Sequence, residues 1–232
     1  MNYKTILVHL DASKRVAERL AIAKRFADTF EAHLTGLFAL SAPRIPSYAL
    51  AEAGPVVIEA EARYRAEAAR AAENAFKAAT AQLAHGAEFR GTNRDALAAV
   101  QLSARYADLL IAGQPEPEGS AGVASDFAEE LVLSAGRPVL FIPYAGNFPE
   151  VGRRVLVAWN AGREAARAVT DALPLLRRAS IVQVVAFDPR KGGADHGDFL
   201  HAVGVADFFV FLKNGQGSFA RLRDEEAEPD RS

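Results

Sequence analysis

Thr5-Ile6-Leu7-Val8-His9-Leu10 runs into Asp11-Ala12-Ser13, and an amphipathic pattern starts at once behind it. Six mostly apolar, β-prone residues closed by a short polar turn predict a buried strand that feeds a helix. In that helix Val16, Leu20, Ala23, Ala27 and Phe30 share one face, while Lys14, Arg15, Arg19, Lys24 and Arg25 fall largely elsewhere. Ser13 or Asp11 stands where a helix cap belongs.

The alternation continues downstream. A second strand is expected over about 33–40, and then Pro43, Pro46, Gly54 and Pro55 predict an irregular loop over 41–55. From Val57 to Leu83 an alanine- and glutamate-rich run carries Tyr64, Ala68, Ala72, Phe76, Ala79 and Leu83 on one stripe, which predicts a long helix. Ala87–Gly91 reads as an edge strand, and Thr92 or Asn93 as the cap of a helix bearing Leu97, Val100 and Ala104. Asp108-Leu109-Leu110-Ile111-Ala112-Gly113 is a buried strand by its unbroken apolar run. Phe127, Leu131 and Val132 mark a short helix ended by Gly136, and Pro138-Val139-Leu140-Phe141-Ile142 is the fifth strand. Strands that alternate with helices call for crossovers, and so for a parallel sheet covered on both faces. Residues 1–146 therefore read as one α/β, Rossmann-like, doubly wound domain with a five-stranded parallel sheet.

The same opening returns later. Leu7, Val8, Ala12 and Ala17 stand 149 positions before Leu156, Val157, Ala161 and Ala166, so Arg154-Val155-Leu156-Val157-Ala158-Trp159-Asn160-Ala161 restates the first strand and turn. With two residues fewer in the helix, Ala32 falls on Ala179 and Ala39 on Ala186, and 180–187 repeats the second strand. After a linker at 147–152, a partial second repeat is expected over 153–205. A divergent tail over 206–232 follows, with a turn signal at Asn214-Gly215 and a charged, frayed end.

Bulk properties bound the function. Half of the 232 residues are hydrophobic, 24% are charged and the formal net charge is −2, so no field gathers nucleic acid or anionic lipid. The absence of cysteine excludes disulfides, thiolate zinc sites and cysteine nucleophiles. Met1-Asn2-Tyr3-Lys4 leads straight into a strand too short for the core of a signal peptide, and no run approaches the ~18 apolar residues of a membrane span. A cytoplasmic protein is expected, without nucleic acid or membrane as partner.

The ordered set Ile6-Leu7-Val8-His9-Leu10-Asp11-Ala12-Ser13, Ala107-Asp108-Leu109-Leu110-Ile111-Ala112-Gly113 and Gly136-Arg137-Pro138-Val139-Leu140-Phe141-Ile142-Pro143 resembles the universal stress protein family. The likeness covers residues 1–146 and, more weakly, 153–200, in the manner of the tandem members. It implies an adenine nucleotide alpha hydrolase-like fold, and association through the fifth strand as a homo-oligomer or with a protein partner. It also implies a ligand site at Asp11, Ala12, Ser13 and Gly113, at the carboxyl ends of the first and fourth strands. In nucleotide-binding members the acidic residue after the first strand meets adenosine and a motif G-x-x-G-x9-G-[ST] cradles phosphates. Asp11 matches the first element. Glu116 replaces the second glycine and Phe127 stands near the last, while Gln114-Pro115-Glu116-Pro117-Glu118 brings two prolines and two carboxylates where bare amides are needed. Asn160 replaces Asp11 in the second copy.

The expectation is a non-catalytic stress-response protein that requires no cofactor; ATP binding or weak ATPase action at the same pocket is the alternative. Asp11 either meets a ligand or caps the first helix, and Gly113 reads better as a strand end than as a ligand approach. Gly215-Gln216-Gly217-Ser218-Phe219-Ala220 fits a dinucleotide fingerprint in letters, but a hairpin turn suits it better. Asp195, His196, Asp198 and His201 lack metal-ligand spacing. Neither a nucleophile elbow nor a Walker P-loop occurs, and Trp159 reads as packing.

Overall fold

A computed structural model describes residues 2–41, 47–115, 122–160, 162–187, 208–213 and 219–222, with backbone alone at 47–53, 186–187, 208–213 and 219–222. The chain divides into two compact units, Asn2–Phe148 and the described residues from Pro149 onward.

The first unit runs β1 (Thr5–Leu10), α1 (Val16–Phe30), β2 (His33–Phe38), α2 (Ser47–Thr80), β3 (Ala87–Gly91), α3 (Ala96–Ala104), β4 (Leu109–Gly113), α4 (Phe127–Ser134) and β5 (Val139–Ile142). Its sheet has the order β3-β2-β1-β4-β5 with every neighbouring pair parallel. The chain winds outward from β1 through β2 to β3, then returns to β1's other side for β4 and β5. That reversal opens a crevice beyond the carboxyl ends of β1 and β4, where open α/β sheets bind ligands.

Helices cover both faces. On one, Leu7, Leu37, Leu110 and Ala112 pack with Ala99, Val100, Phe127 and Leu131 of α3 and α4. On the other lie α1 and α2, which pack against each other and the sheet. Gly36 admits α2 closely, because a Cβ there would fall 2.5 Å from the Phe76 ring. Among the described residues no helix is long and apolar enough to cross a membrane.

Several local expectations are corrected. The segment 47–55 is helical rather than irregular, and Pro55 lies inside α2. Alanine at 49, 51 and 53 favours helix, and proline's fixed φ is itself helical, so the ring forgoes one backbone bond without setting the boundary. On the α2 stripe Ala72 and Phe76 are buried, but Tyr64 is 49% exposed because the helix is longer than the sheet it covers. Asp95, not Thr92 or Asn93, caps α3, its carboxylate accepting from the amides of Leu97 (3.0 Å) and Ala98 (3.4 Å). Val132 on α4 is exposed while Phe127 and Leu131 are buried. Gly136, at φ 63, follows the helix end as expected.

The second unit contains β6 (Arg154–Trp159), α5 (Arg163–Leu176), β7 (Ile181–Phe187), β8 (Phe208–Lys213) and β9 (Phe219–Leu222) in the order β6-β7-β8-β9. β6, α5 and β7 stand to one another as β1, α1 and β2 do, with β6 and β7 parallel. The register corrects the repeat spacing. Thr5 pairs with His33 and Arg154 with Ile181, so the second strands are 148 positions apart rather than 147. This offset puts buried Val182 in the place of buried Leu34, and a slip of one residue would turn the apolar set to the other face. β8 joins β7 in parallel, as β3 joins β2, and β9 pairs antiparallel with β8. Phe219 and Ala220 are thus in a strand, whereas a dinucleotide fingerprint needs a helix there. Residues 42–46 of the expected loop, the turn expected at Asn214-Gly215, the end expected to fray and Asp195, His196, Asp198 and His201 lie outside the described residues.

Val155, Val157 and Trp159 pack with Val169, Leu173, Leu176, Val182 and Val184, so one face of this sheet is covered by α5. Leu156 points the other way and is 64% exposed, whereas Leu7, its counterpart 149 positions earlier, is 2% exposed beneath α3 and α4. Among the described residues of the second unit, α5 is the one helix. The contrast yields a stability prediction. Leu7→Ala lowers the stability of the first unit by about 2–5 kcal/mol, since it removes a packed side chain and leaves a cavity. Leu156→Ala changes the stability of the second by no more than about 0.5 kcal/mol. Urea unfolding of the two variants checks this, and comparable losses would contradict the assignment of one covered and one open face.

Candidate functional site

β1 delivers Asp11 to the crevice as the first residue after its last ladder position. The side chain is 6% exposed and does two things. Its Oδ1 accepts from the Ser13 amide at 2.9 Å, which folds the turn, and its Oδ2 meets Arg19 Nη1 at 3.1 Å. Neither Asp11 nor Ser13 caps α1 with its side chain. The helix begins after Arg15, and the Val16 amide reaches the Ser13 carbonyl instead.

Arg19 is the residue that sequence reasoning put on the wrong side. It is 2% exposed and its guanidinium lies across the strand ends. Nη1 also donates to the His9 carbonyl at 2.7 Å, and Nη2 donates to Ser13 Oγ at 3.3 Å. The signal was present in the spacing: Arg19 follows Val16 by three residues and precedes Ala23 by four, which sets it beside the buried stripe.

Gly113 ends β4 directly opposite. A Cβ there would come within 2.1 Å of Arg19 Nη2 and 2.6 Å of its Cζ, so any larger residue would displace the guanidinium. The glycine is therefore required by the arginine, a cause that neither sequence reading considered. Beyond it the Gln114 amide donates to the Ile142 carbonyl at 2.9 Å, holding β4 and β5 together where the crevice opens.

The small recess that remains has room for about one water, and Asp11, Ser13, Arg15, Arg19, Gly113 and Gln114 are among its walls. Ala12, the fourth residue expected at the site, is half-buried and does not line it. Glu116, Pro117 and Glu118 lie outside the described residues. Phe127, expected near a missing glycine, is buried and packs on the His9 ring at 5.0 Å between centroids.

His9 lies directly under the pair and is fully buried. Its Nε2 donates to the Ala39 carbonyl at 2.9 Å, since a carbonyl can only accept, and Nδ1 has no hydrogen-bond partner. Burial lowers the His9 pKa from 6.5; Asp11 and the Ala39 bond oppose that, and Arg19 adds to it, so burial favours the neutral ring at pH 7. For Asp11, burial alone would raise the pKa, but the Arg19 guanidinium and the two Ser13 interactions outweigh it and the net direction is down. The chemistry at the strand ends is thus that of a carboxylate and a guanidinium already engaged with each other. Among the described residues no group of three or more metal-ligating side chains is gathered.

Two predictions follow from this geometry. Asp11→Ala leaves Arg19 charged and uncompensated in the interior and costs about 3–5 kcal/mol, read by denaturant unfolding. A histidine whose folded pKa lies below its unfolded value contributes stability that is complete above the unfolded value and is lost as pH falls through the folded one. The melting temperature accordingly declines as pH drops from about 7 toward 5. His9→Gln, which keeps a donor for Ala39 but cannot take up the proton, flattens that limb, and an unchanged slope would remove His9 as its cause.

No family model matches the sequence, and no curated protein does. Solved structures do. A universal stress protein UspA from Lactobacillus plantarum is 22% identical over 61% of this chain and 99% of its own, with a TM-score of 0.50. A universal stress protein from Archaeoglobus fulgidus is 14% identical over 90% of this chain and 77% of its own, with a TM-score of 0.61. The second match reaches further along the chain than Asn2–Phe148 alone. With its 3-2-1-4-5 parallel sheet and alternating helices, this chain has the fold of the universal stress proteins that its motifs resemble.

Proposed function

We propose that the chain is a universal stress protein that acts without catalysis, through association, and whose strand-end site is closed to adenine nucleotides by its own Arg19. The observation that carries this reading is the guanidinium 2.1 Å from the position a Gly113 Cβ would occupy, hydrogen-bonded to His9 and ion-paired with Asp11. A nucleoside seeking Asp11 must first break a buried ion pair, and nothing it offers replaces the guanidinium's charge. Pro115, without an amide hydrogen, stands on the loop where a phosphate cradle needs donors.

Association through β5 is supported by its place at the edge of the sheet, where Val139, Leu140 and Phe141 are only half-buried. An apolar edge is a template for pairing and is normally covered. A second copy of the chain is the partner that fits the family's habit.

Each half of the reading has its own test. Calorimetry with ATP and magnesium is expected to give no heat, and the melting temperature no shift; saturable binding would favour the nucleotide-binding alternative. Light scattering at micromolar concentration is expected to show a dimer or larger species, with Leu140→Lys driving it toward monomer. A strictly monomeric wild-type chain would sink the association reading.

A further inference from the structure

β6 ends its sheet: among the described residues its one hydrogen-bonded neighbour is β7. The corresponding strand of the first unit, β1, lies between two neighbours, with Ile6, Leu7 and Val8 in register with Leu109, Leu110 and Ile111 of β4. Backbone alternation says which residues of β6 face the open side. The Arg153 carbonyl accepts from the Ser180 and Ile181 amides, at 2.7 and 3.2 Å, so positions 153, 155 and 157 turn toward β7. Arg154, Leu156 and Ala158 therefore direct their amides and carbonyls away from it, toward the free edge.

Natural sheets blunt such an edge with charge, proline or a bulge. β3, at the edge of the first sheet, follows that rule, because two of its five residues form the exposed Glu88–Arg90 ion pair. β6 does not. Between Arg154 and Trp159 it reads Val155-Leu156-Val157-Ala158, without charge or proline, and it pairs with β7 residue for residue, without a bulge. Val155 and Val157 pack against α5, and Leu156 is left 64% exposed on the opposite face. One residue thus presents both an apolar side chain and an outward pair of backbone groups.

We infer that β6 is a pairing edge whose occupant is β6 of a second copy of the chain, running antiparallel about a twofold axis at Leu156. The choice of occupant rests on self-complementarity. Opposite residues in an antiparallel pair share a face, so position 156 has to meet an even-numbered position. With Leu156 opposite Leu156 of the second copy, Arg154 falls opposite Ala158 and Ala158 opposite Arg154. All three outward-facing residues then find partners and make about six hydrogen bonds. Two exposed leucines meet across the axis, and the two arginines stand at opposite ends of the ribbon rather than facing each other. An identical patch on both partners is what a twofold dimer requires. The ribbon falls short of the roughly 800 Å² per partner of a standard stable interface, so the pairing is weak and concentration-dependent. It goes beyond association through β5 and adds a second, independent contact.

The test uses the full chain carrying Leu140→Lys, which blocks pairing through β5, in equilibrium sedimentation from micromolar to millimolar concentration. A reversible dimer is expected. Leu156→Lys or Leu156→Glu, added to that chain, sets two like charges across the axis and is expected to weaken the dimer about fivefold or more. An equimolar mixture of the two is expected to recover it, since opposite charges then face each other; a merely damaged fold is not rescued by mixing. The chain has no cysteine, so Leu156→Cys is a clean reporter. Opposite residues lie about 5.5 Å apart at Cα, within disulfide reach, and mild oxidation is expected to link the dimer. Arg154→Cys, about 13 Å from its own copy along the strand, is expected not to link. A Leu140→Lys chain that stays monomeric throughout overturns the proposal and leaves the edge to a strand of another protein. So does a dimer that Leu156→Lys leaves unchanged, a mixture that does not recover it, or linkage at position 154 as efficient as at 156. Loss of the wild-type oligomer with Leu140→Lys bears on β5 alone, so the two readings fail separately.

Discussion

The buried Asp11–Arg19 pair is the contact on which the character of this molecule depends. It joins the end of β1 to the second turn of α1 and sets the guanidinium against the end of β4, so three elements meet through one side chain. A buried ion pair seldom stabilises more than a well-packed apolar pair of the same shape would, but removing either half is costly. The pair therefore fixes an arrangement more than it adds stability. Gly113 must stay bare to admit it, Ser13 is drawn in by both partners, and neutral His9 supplies both a carbonyl acceptor and an uncharged floor. A crevice that the sheet topology makes available for a ligand is largely occupied from within.

The two units show what a sheet needs in order to be covered. β1 is buried on both faces because α1 and α2 lie on one side and α3 and α4 on the other. β6 pairs in parallel with the strand after its helix as β1 does, yet its burial alternates, with Val155, Val157 and Trp159 against α5 and Leu156 exposed. Identical apolar character at Leu7 and Leu156 has opposite energetic weight, because the hydrophobic effect acts on area removed from water and not on residue type.

Much of the fold was legible before any coordinates. Strand positions followed from unbroken apolar runs such as Leu109-Leu110-Ile111-Ala112, the crossover logic gave a parallel sheet, and the fit of motif order to the universal stress proteins pointed to the same architecture. Errors gathered where several causes compete. Pro55 suggested a loop but alanine propensity prevailed, and Asp95 outcompeted Thr92 and Asn93 as a cap because its carboxylate reaches two amides. The spacing from β6 to β7 is one residue shorter than that from β1 to β2, not the two that the alanine matches suggest, since alanine identities carry little information about register.

What the sequence by itself determined is periodic and local: which stretches are strands, which are helices, that the strands run parallel, and that Asp11 ends the first of them. Periodicity follows from the fixed geometry of each element, so it can be read without knowing the neighbours. Only the tertiary structure decided that Arg19 turns inward, that Gly113 is small for the arginine's sake, that His9 is a buried neutral ring, and that Leu156 lies bare. Each of those depends on what a distant segment brings to within a few ångströms. A charge enters the interior only where folding supplies its partner, and Asp11, eight residues earlier, becomes that partner only once β1 and α1 have packed.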